Sequence, residues 1–339
     1  MFLVRVGIAG YGVAGRIFHG GLLRQTPGAE VVAVVTRNPE RRAEVAADFP
    51  AAAVRDDLTG MLADDRPDLV VLATPTRFHA DAALECFASG VPVVVDKPMA
   101  LDAEQAQQMV TAAEVAGVDF TLFQNRRWDS DFLTVRRLIG DGELGEVLRF
   151  ESRFERWRPE PAPGKWREDL PPEEGGGSLL DLGSHLVDQA VQLLGPVHSV
   201  YAEVASRRGT AADDDVFVAL THLGDVHSHL SCGNLAGAPG PRLRVLGTGG
   251  AFVVHDLDGQ EDALRTGRRV VTPVGRLCRG ADFVPVEPTP GDWASYYPAV
   301  FAAIEGKRPM PVDPWDGVHT MEVLDAARAS AAIGSTISL

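Results

Sequence analysis

Residues Val4 to Gly15 read VRVGIAGYGVAG, a short apolar run that enters three glycines spaced G-x-G-x-x-G at Gly10, Gly12 and Gly15. A turn this poor in side chains lets backbone N–H groups come close to a diphosphate. The surroundings give the triplet its weight, because such a turn needs a strand before it and a helix after it. Phe2 to Ala9 is β-branched and apolar almost throughout, which suits a parallel strand buried on both faces. Val13 to Arg24 reads as a helix, ending near Thr26-Pro27-Gly28, and Glu30 to Val35 is a second strand at βαβ distance. The stretch therefore predicts a dinucleotide site, with Val13 and Ala14 beside the glycines as further contacts.

The end of the second strand discriminates between dinucleotides. An acid there would bind a ribose 2′-hydroxyl. The place reads Val35-Thr36-Arg37-Asn38, with no acid. Thr36 can donate a hydrogen bond, Arg37 offers a planar fork that suits a phosphate, and Arg41 and Arg42 follow a helical turn later. The expected cofactor is NADP rather than NAD.

Further buried strands follow at Asp68–Ala73, Val91–Val95 and Val118–Phe123, each separated by a helical stretch. Strands alternating with helices in this way make a doubly wound parallel sheet. The strand ends face the ligand edge of such a sheet. They carry Thr74-Pro75 and Asp96-Lys97-Pro98. A lysine that follows a buried strand and precedes a proline is expected to serve the site. His79, in the first turn of a helix, has packing or capping as its ordinary role.

The pattern changes at Gln124. Gln124-Asn125-Arg126-Arg127-Trp128-Asp129 leads into a helix, and longer alternating strands begin at Val147–Phe154. More strands are expected at Ser199–Ala205, Val216–His222, Val226–Cys232, Leu243–Leu246 and Phe252–Val254, joined by tight turns. These predict a large, mostly antiparallel open sheet. The fold class is thus α/β, a Rossmann domain over 1–123 followed by an α+β domain over 124–339. The densest chemical stretch is GGGSLLDLGSH, residues 175–185, in which Asp181 and His185 are four apart on one helix face. An imidazole beside a carboxylate suits a general base near neutral pH.

The bulk numbers narrow the partners. The chain has 339 residues, 45% hydrophobic and 23% charged, with a net charge of −15. That balance argues against nucleic acid and anionic membranes, which call for concentrated positive charge. No apolar run is long enough to span a bilayer, and no secretory signal is apparent. Cys86, Cys232 and Cys278 are odd in number and far apart, which fits free thiols in a reducing, cytoplasmic setting. His222, His227 and His229 read as sheet residues, and no metal is expected.

The motifs together resemble one family. GIAGYGVAG at 7–15, Asp96-Lys97-Pro98 where the family has Glu-Lys-Pro, and GGGSLLDLGSHLVD at 175–188 are similar in order and spacing to the glucose–fructose oxidoreductase, inositol dehydrogenase and MocA (Gfo/Idh/MocA) oxidoreductases. The resemblance implies a small-molecule sugar or polyol substrate, and homodimers or homotetramers formed through the open sheet. It implies Lys97, Asp181 and His185 as the catalytic set, Asn125, Asp96 and the Trp166-Arg167 pair near the cofactor, and Arg127 and Trp157 as shapers of a polyol pocket. Asn125-Arg126-Arg127-Trp128-Asp129 and Phe154-Glu155-Arg156-Trp157-Arg158-Pro159 resemble the NADP-dependent scyllo-inositol dehydrogenase branch. The implied reaction is reversible hydride transfer between nicotinamide and a secondary alcohol carbon. His185 would take the hydroxyl proton, Lys97 would bind the same oxygen, and Asp181 would orient His185 or hold a neighbouring hydroxyl. Open beside it stand a related enzyme for another sugar and a non-catalytic NADP sensor.

Overall fold

The computed structural model describes residues 3–162 and 164–339. Phe2, expected at the start of the first strand, and Pro163, in the irregular loop expected over 156–174, lie outside them.

The first sheet has six parallel strands: β1 (Val4–Ala9), β2 (Ala29–Val35), β3 (Ala53–Arg55), β4 (Leu69–Leu72), β5 (Val93–Asp96) and β6 (Phe120–Phe123). Their order is β3-β2-β1-β4-β5-β6. The winding reverses at β1, which opens a crevice beyond the carboxyl ends of β1 and β4. Val4, Val6 and Ile8 of β1 are wholly buried, as are Leu69, Val70, Val71 and Leu72 of β4. Helices on both sides exclude water from these strands, which is why β4 is an unbroken apolar run in sequence and β1 is interrupted only by the exposed Arg5. The edge strand β3 is only three residues long and half-buried, too short to stand out as such a run.

The glycine turn is sterically specified. Gly10 has φ +96°, and a Cβ there would lie 2.6 Å from the Ala73 carbonyl oxygen. A Cβ on Gly15 would overlap the carbonyl oxygen of Gly10. After β2, the Asn38 side chain accepts the Arg41 N–H at 3.0 Å and caps the helix Pro39–Asp48, which has proline in its first turn. That cap brings the Arg41 guanidinium over Gly12, within 3.8 Å of where a side chain would begin.

The second sheet has nine strands: β7 (Val147–Glu155), β8 (Val197–Ala205), β9 (Asp215–His222), β10 (His227–Gly233), β11 (Leu243–Gly247), β12 (Gly250–Val254), β13 (Arg276–Arg279), β14 (Asp282–Pro285) and β15 (Ile337–Ser338). Their order is β14-β13-β12-β11-β7-β10-β9-β8-β15. Pairing is antiparallel except between β7 and β10, which run parallel in the middle. The sequence reading did not distinguish that pair, the edge strands β14 and β15, or β13 next to the edge. The helices Ser184–Leu194 and Pro314–Ile333 pack on one face through Leu186, Val187, Ala190, Val323 and Leu324. The other face carries a charged ladder, where Glu151 accepts from Arg153 at 2.8 Å and from Arg244 at 3.1 Å. No described helix is long and apolar enough to cross a membrane.

The chain returns to the first sheet at its end. Tyr296 donates to the Leu122 carbonyl at 2.9 Å, Thr121 donates to Val312 at 2.7 Å, and Asp325 accepts the Ala103 N–H at 2.8 Å. The C-terminal helix thus covers part of both sheets. Because Ile8 sits in the middle of β1 with no exposed surface, Ile8→Ala should cost about 2–5 kcal/mol. A thermal melt should show a midpoint several degrees lower, and an unchanged midpoint would contradict this packing.

Candidate active site

A cleft of about 1020 Å³ lies along the carboxyl ends of the first sheet and extends over the second. Gly10, Gly12, Val13 and Ala14 form one wall, with Thr36 and Arg37 at one end and Thr74 and Pro75 beside them. Gly15 is buried beneath the turn and shapes it from below rather than lining it. Arg37 is anchored by its Nε, which donates to the Asp56 carbonyl at 3.0 Å. Arg42 pairs with the Asp56 carboxylate and does not line the cleft. Arg41 does, and its guanidinium has no partner among the described residues. The glycine cradle fits a dinucleotide, two basic groups stand at the end of β2, and Thr74 Oγ1 is buried there without a partner.

The end of β5 supplies Asp96 and Lys97, and both line the cleft. Lys97 Nζ donates to the Asp181 carbonyl at 2.6 Å and to Asp181 Oδ1 at 2.9 Å. Arg167 Nε donates to the same oxygen at 3.0 Å, with its guanidinium stacked on Trp166, 4.2 Å from the ring centre. Burial pushes the Asp181 carboxyl up, but Lys97 and Arg167 outweigh it and hold the acid far below its ordinary value. Asp96 is buried too, and its Oδ1 lies 3.7 Å from His19 Nε2. His79 spans the ends of β4 and β5, with Nε2 2.9 Å from the Thr74 carbonyl and Nδ1 3.1 Å from that of Pro98. Its role is to hold the two strand ends together, the structural reading its position allowed.

The stretch Ser178–His185 enters through glycines and winds as a wide π-helical turn, Leu179–Gly183, before the helix Ser184–Leu194. Such turns recur at functional sites. Asp213 caps it by accepting the Leu179 N–H at 2.7 Å, against Gly177, whose φ is +100° and which leaves no room for a side chain. His185 lines the cleft, and its Nδ1 lies 3.2 Å from Gln124 Oε1. With that oxygen as acceptor, Nδ1 carries the proton and Nε2 is left as a free base. Burial, then the positive charges of Lys97, Arg126, Arg242 and Arg156, hold His185 well below an ordinary histidine. A neutral imidazole beside a lysine ammonium can take a proton while the ammonium binds the oxygen that loses it.

Three expectations need correction. Asp181 does not orient His185, because its carboxylate is committed to Lys97 and Arg167, and the imidazole is held by Gln124. Gln124 directly follows β6, so the strand-end rule that singled out Lys97 also pointed to it. Arg127 is not in the pocket. Its Nε donates to Asp188 at 2.9 Å and its Nη1 to Asp316 at 2.9 Å, because the tight turn Asn125–Trp128 sends Asn125 and Arg126 to the cleft and Arg127 the other way. Trp157 is 62% exposed and also outside the cleft. Side chains alternate along β7, so Phe150, Phe154 and Arg156 face inward while Glu155 and Trp157 face the open side. Among the described residues no cluster of His, Cys, Asp and Glu could hold a metal ion. His222 is occupied by the Gly195 carbonyl and Ser228 Oγ, each at 2.8 Å.

Comparison with known proteins agrees over the full length. Residues 4–123 match the model of the oxidoreductase family with an NAD-binding Rossmann fold, and residues 132–253 match the GFO/IDH/MocA C-terminal domain. The chain is 34% identical over 352 residues to scyllo-inositol 2-dehydrogenase (NADP(+)) IolW of Bacillus subtilis, covering 99% of this chain and 96% of that protein. It is 36% identical over 347 residues to the uncharacterized oxidoreductase YdgJ of Escherichia coli, covering 99% of each. The structure of yvaA from Bacillus subtilis superposes with a TM-score of 0.91 at 32% identity, covering 100% of this chain and 99% of that one. With both halves matched and the strand-end lysine, the acid and the histidine converging on one cleft, the chain belongs to the Gfo/Idh/MocA family of oxidoreductases.

Proposed function

We propose that the protein interconverts a secondary alcohol and a ketone on a cyclic polyol or sugar of the scyllo-inositol kind, with NADP as cofactor. The observation that carries this reading is the meeting of the Lys97 ammonium and the free Nε2 of a neutral His185 in one cleft with the glycine turn. Bound along that turn, the dinucleotide supplies hydride exchange at its nicotinamide ring. The chain's own residues manage the proton and the oxygen. His185 accepts the hydroxyl proton at Nε2, and Gln124 keeps the ring in the tautomer that can do so. Lys97 donates a hydrogen bond to the same oxygen and stabilises the negative charge that develops there. Asp181 and Arg167 aim the ammonium. Arg37 and Arg41 lie where a 2′-phosphate would sit, which supports NADP, as does the printed cofactor of the Bacillus subtilis relative. Three free thiols support a cytoplasmic enzyme, and the uncovered charged face of the second sheet supports pairing of subunits through it.

Lys97→Ala should lower kcat by about 10²- to 10³-fold while NADPH still quenches protein fluorescence on binding. Turnover near that of the wild type would remove Lys97 from the chemistry. Titration should show NADPH binding more tightly than NADH, and Arg37→Ala should narrow that gap; equal affinities would remove the role given to the arginine. The proton acceptor is neutral unless pH falls below its own lowered pKa, so kcat/KM for alcohol oxidation should show no histidine limb near the ordinary value of 6.5. A half-maximal rate at that pH would mean that another group is the base. Gln124→Leu should reduce kcat by about 10- to 100-fold with NADPH affinity retained.

A further inference from the structure

Arg156 and Asn234 stand one residue beyond the carboxyl ends of β7 and β10, the parallel pair of the second sheet. Backbone hydrogen bonds lock these two ends together. The Arg156 N–H meets the Gly233 carbonyl at 2.9 Å, Arg158 N–H meets that of Asn234 at 2.7 Å, and Ala236 N–H meets that of Arg156 at 3.0 Å. The side chains of Arg156 and Asn234 both line the cleft. Asn234 is 8% exposed and Arg156 half-buried.

Neither side chain has a partner. Among the described residues the Arg156 guanidinium makes no hydrogen bond or ion pair, and the Asn234 carboxamide makes no hydrogen bond. Arg158 beside Arg156 is likewise unpaired among the described residues but is exposed to water, and the more buried cations nearby are paired. Lys97 and Arg167 are held by Asp181, Arg126 by Asp129 and Glu261, and Arg208 by Asp214 and Glu168. A guanidinium drawn out of water without a counter-charge is unfavourable, and it persists where a ligand completes it. Burial and the nearby Arg158 pull the pKa of Arg156 down against the opposing fields of Asp181 and Glu261, neither of which makes an ion pair with it. Phe154, two residues before it on the same face, has its ring centre 6.1 Å from that of His185, which puts Arg156 at the proton-handling end of the cleft. The diphosphate cradle belongs to the first sheet instead.

We propose that Arg156 and Asn234 form the seat for a carboxylate on the substrate, so that the sugar or polyol oxidised is an acidic one. This rests on the polyol reading above and narrows its substrate class. A planar fork beside one amide donor matches the two oxygens of a carboxylate. In a chain with a net charge of −15, a positive seat of this kind selects anions locally.

The test uses the NADPH complex of the full chain and matched probes: D-glucuronate against D-glucose, D-galacturonate against D-galactose, and D-gluconate against D-glucitol. Binding is read from the fluorescence of the bound NADPH, and NADP reduction is assayed with the same compounds and with scyllo-inositol. Wild type should bind at least one acid about tenfold or more tightly than its neutral partner. Arg156→Met should bring that ratio to about one, and Arg156→Lys should retain part of it. Equal binding of every pair by the wild type overturns the seat, as does a preference that survives in Arg156→Met. A fall in NADPH affinity equal to the loss of acid binding would place the guanidinium on the cofactor and also overturn it. If Arg156→Met does not fold, the wild-type ratio and Arg156→Lys decide. Acids that bind preferentially without any NADP reduction would sink the polyol dehydrogenase reading and leave the seat standing. Oxidation of scyllo-inositol with no acid preference would do the reverse.

Discussion

The Lys97–Asp181 pair is the contact on which the rest of the site depends. It joins the end of β5 in the first sheet to the helical turn that enters the second domain's helix. The two sheets share one continuous apolar core, and at the cleft they are bridged by this ammonium, held by a carboxylate and by a backbone carbonyl of the same residue. A buried pair of this kind contributes little net stability, because both charges are taken out of water. Removing one partner is costly for the same reason. What the pair supplies is direction: the ammonium cannot swing, so a substrate oxygen finds it in one place. Arg167 adds a third segment of chain to the same carboxylate.

Charge in the cleft runs opposite to charge in the molecule. The chain is strongly acidic, yet arginines and a lysine crowd the substrate end. Acids placed behind them make this possible. Asp129 donates nothing to the cleft but holds Arg126, and Asp131 faces Arg242. Burial, with Asp131 and Asp258 close by, pushes the Asp129 carboxyl up to about 7 despite Arg126. Burial first, then Lys97 and the cations this cluster supports, keep His185 neutral. A base that stays unprotonated near neutrality is what alcohol oxidation needs, so electrostatics of the second layer shapes the chemistry of the first.

Much of the fold was legible in sequence because it is local. The glycine spacing can be read from three positions, since each glycine answers a steric demand within a few residues. The buried strands β1, β4, β5 and β6 show as largely apolar runs because both faces are covered. β3, β13, β14 and β15 were not legible, being short strands at or next to a sheet edge whose pairing, not composition, makes them strands. Lys97 and His185 could be picked out because a strand end and a glycine-rich helix entry mark them.

Partnerships were another matter. Asp181 and His185 are four apart, and that spacing suggested a pair; a lysine and an arginine from distant segments took the carboxylate, and a glutamine from the end of β6 took the imidazole. Arg126 and Arg127 are neighbours of identical type, and only one faces the cleft. Arg156 and Trp157 are neighbours too, and the pleat of β7 sends them to opposite sides. The sequence by itself determined the two-part architecture, the glycine cradle and the residue types that do the chemistry, since these follow from short-range sterics and patterning. Only the tertiary structure decided which side chain meets which, because that depends on which face of each strand or turn the rest of the chain has covered.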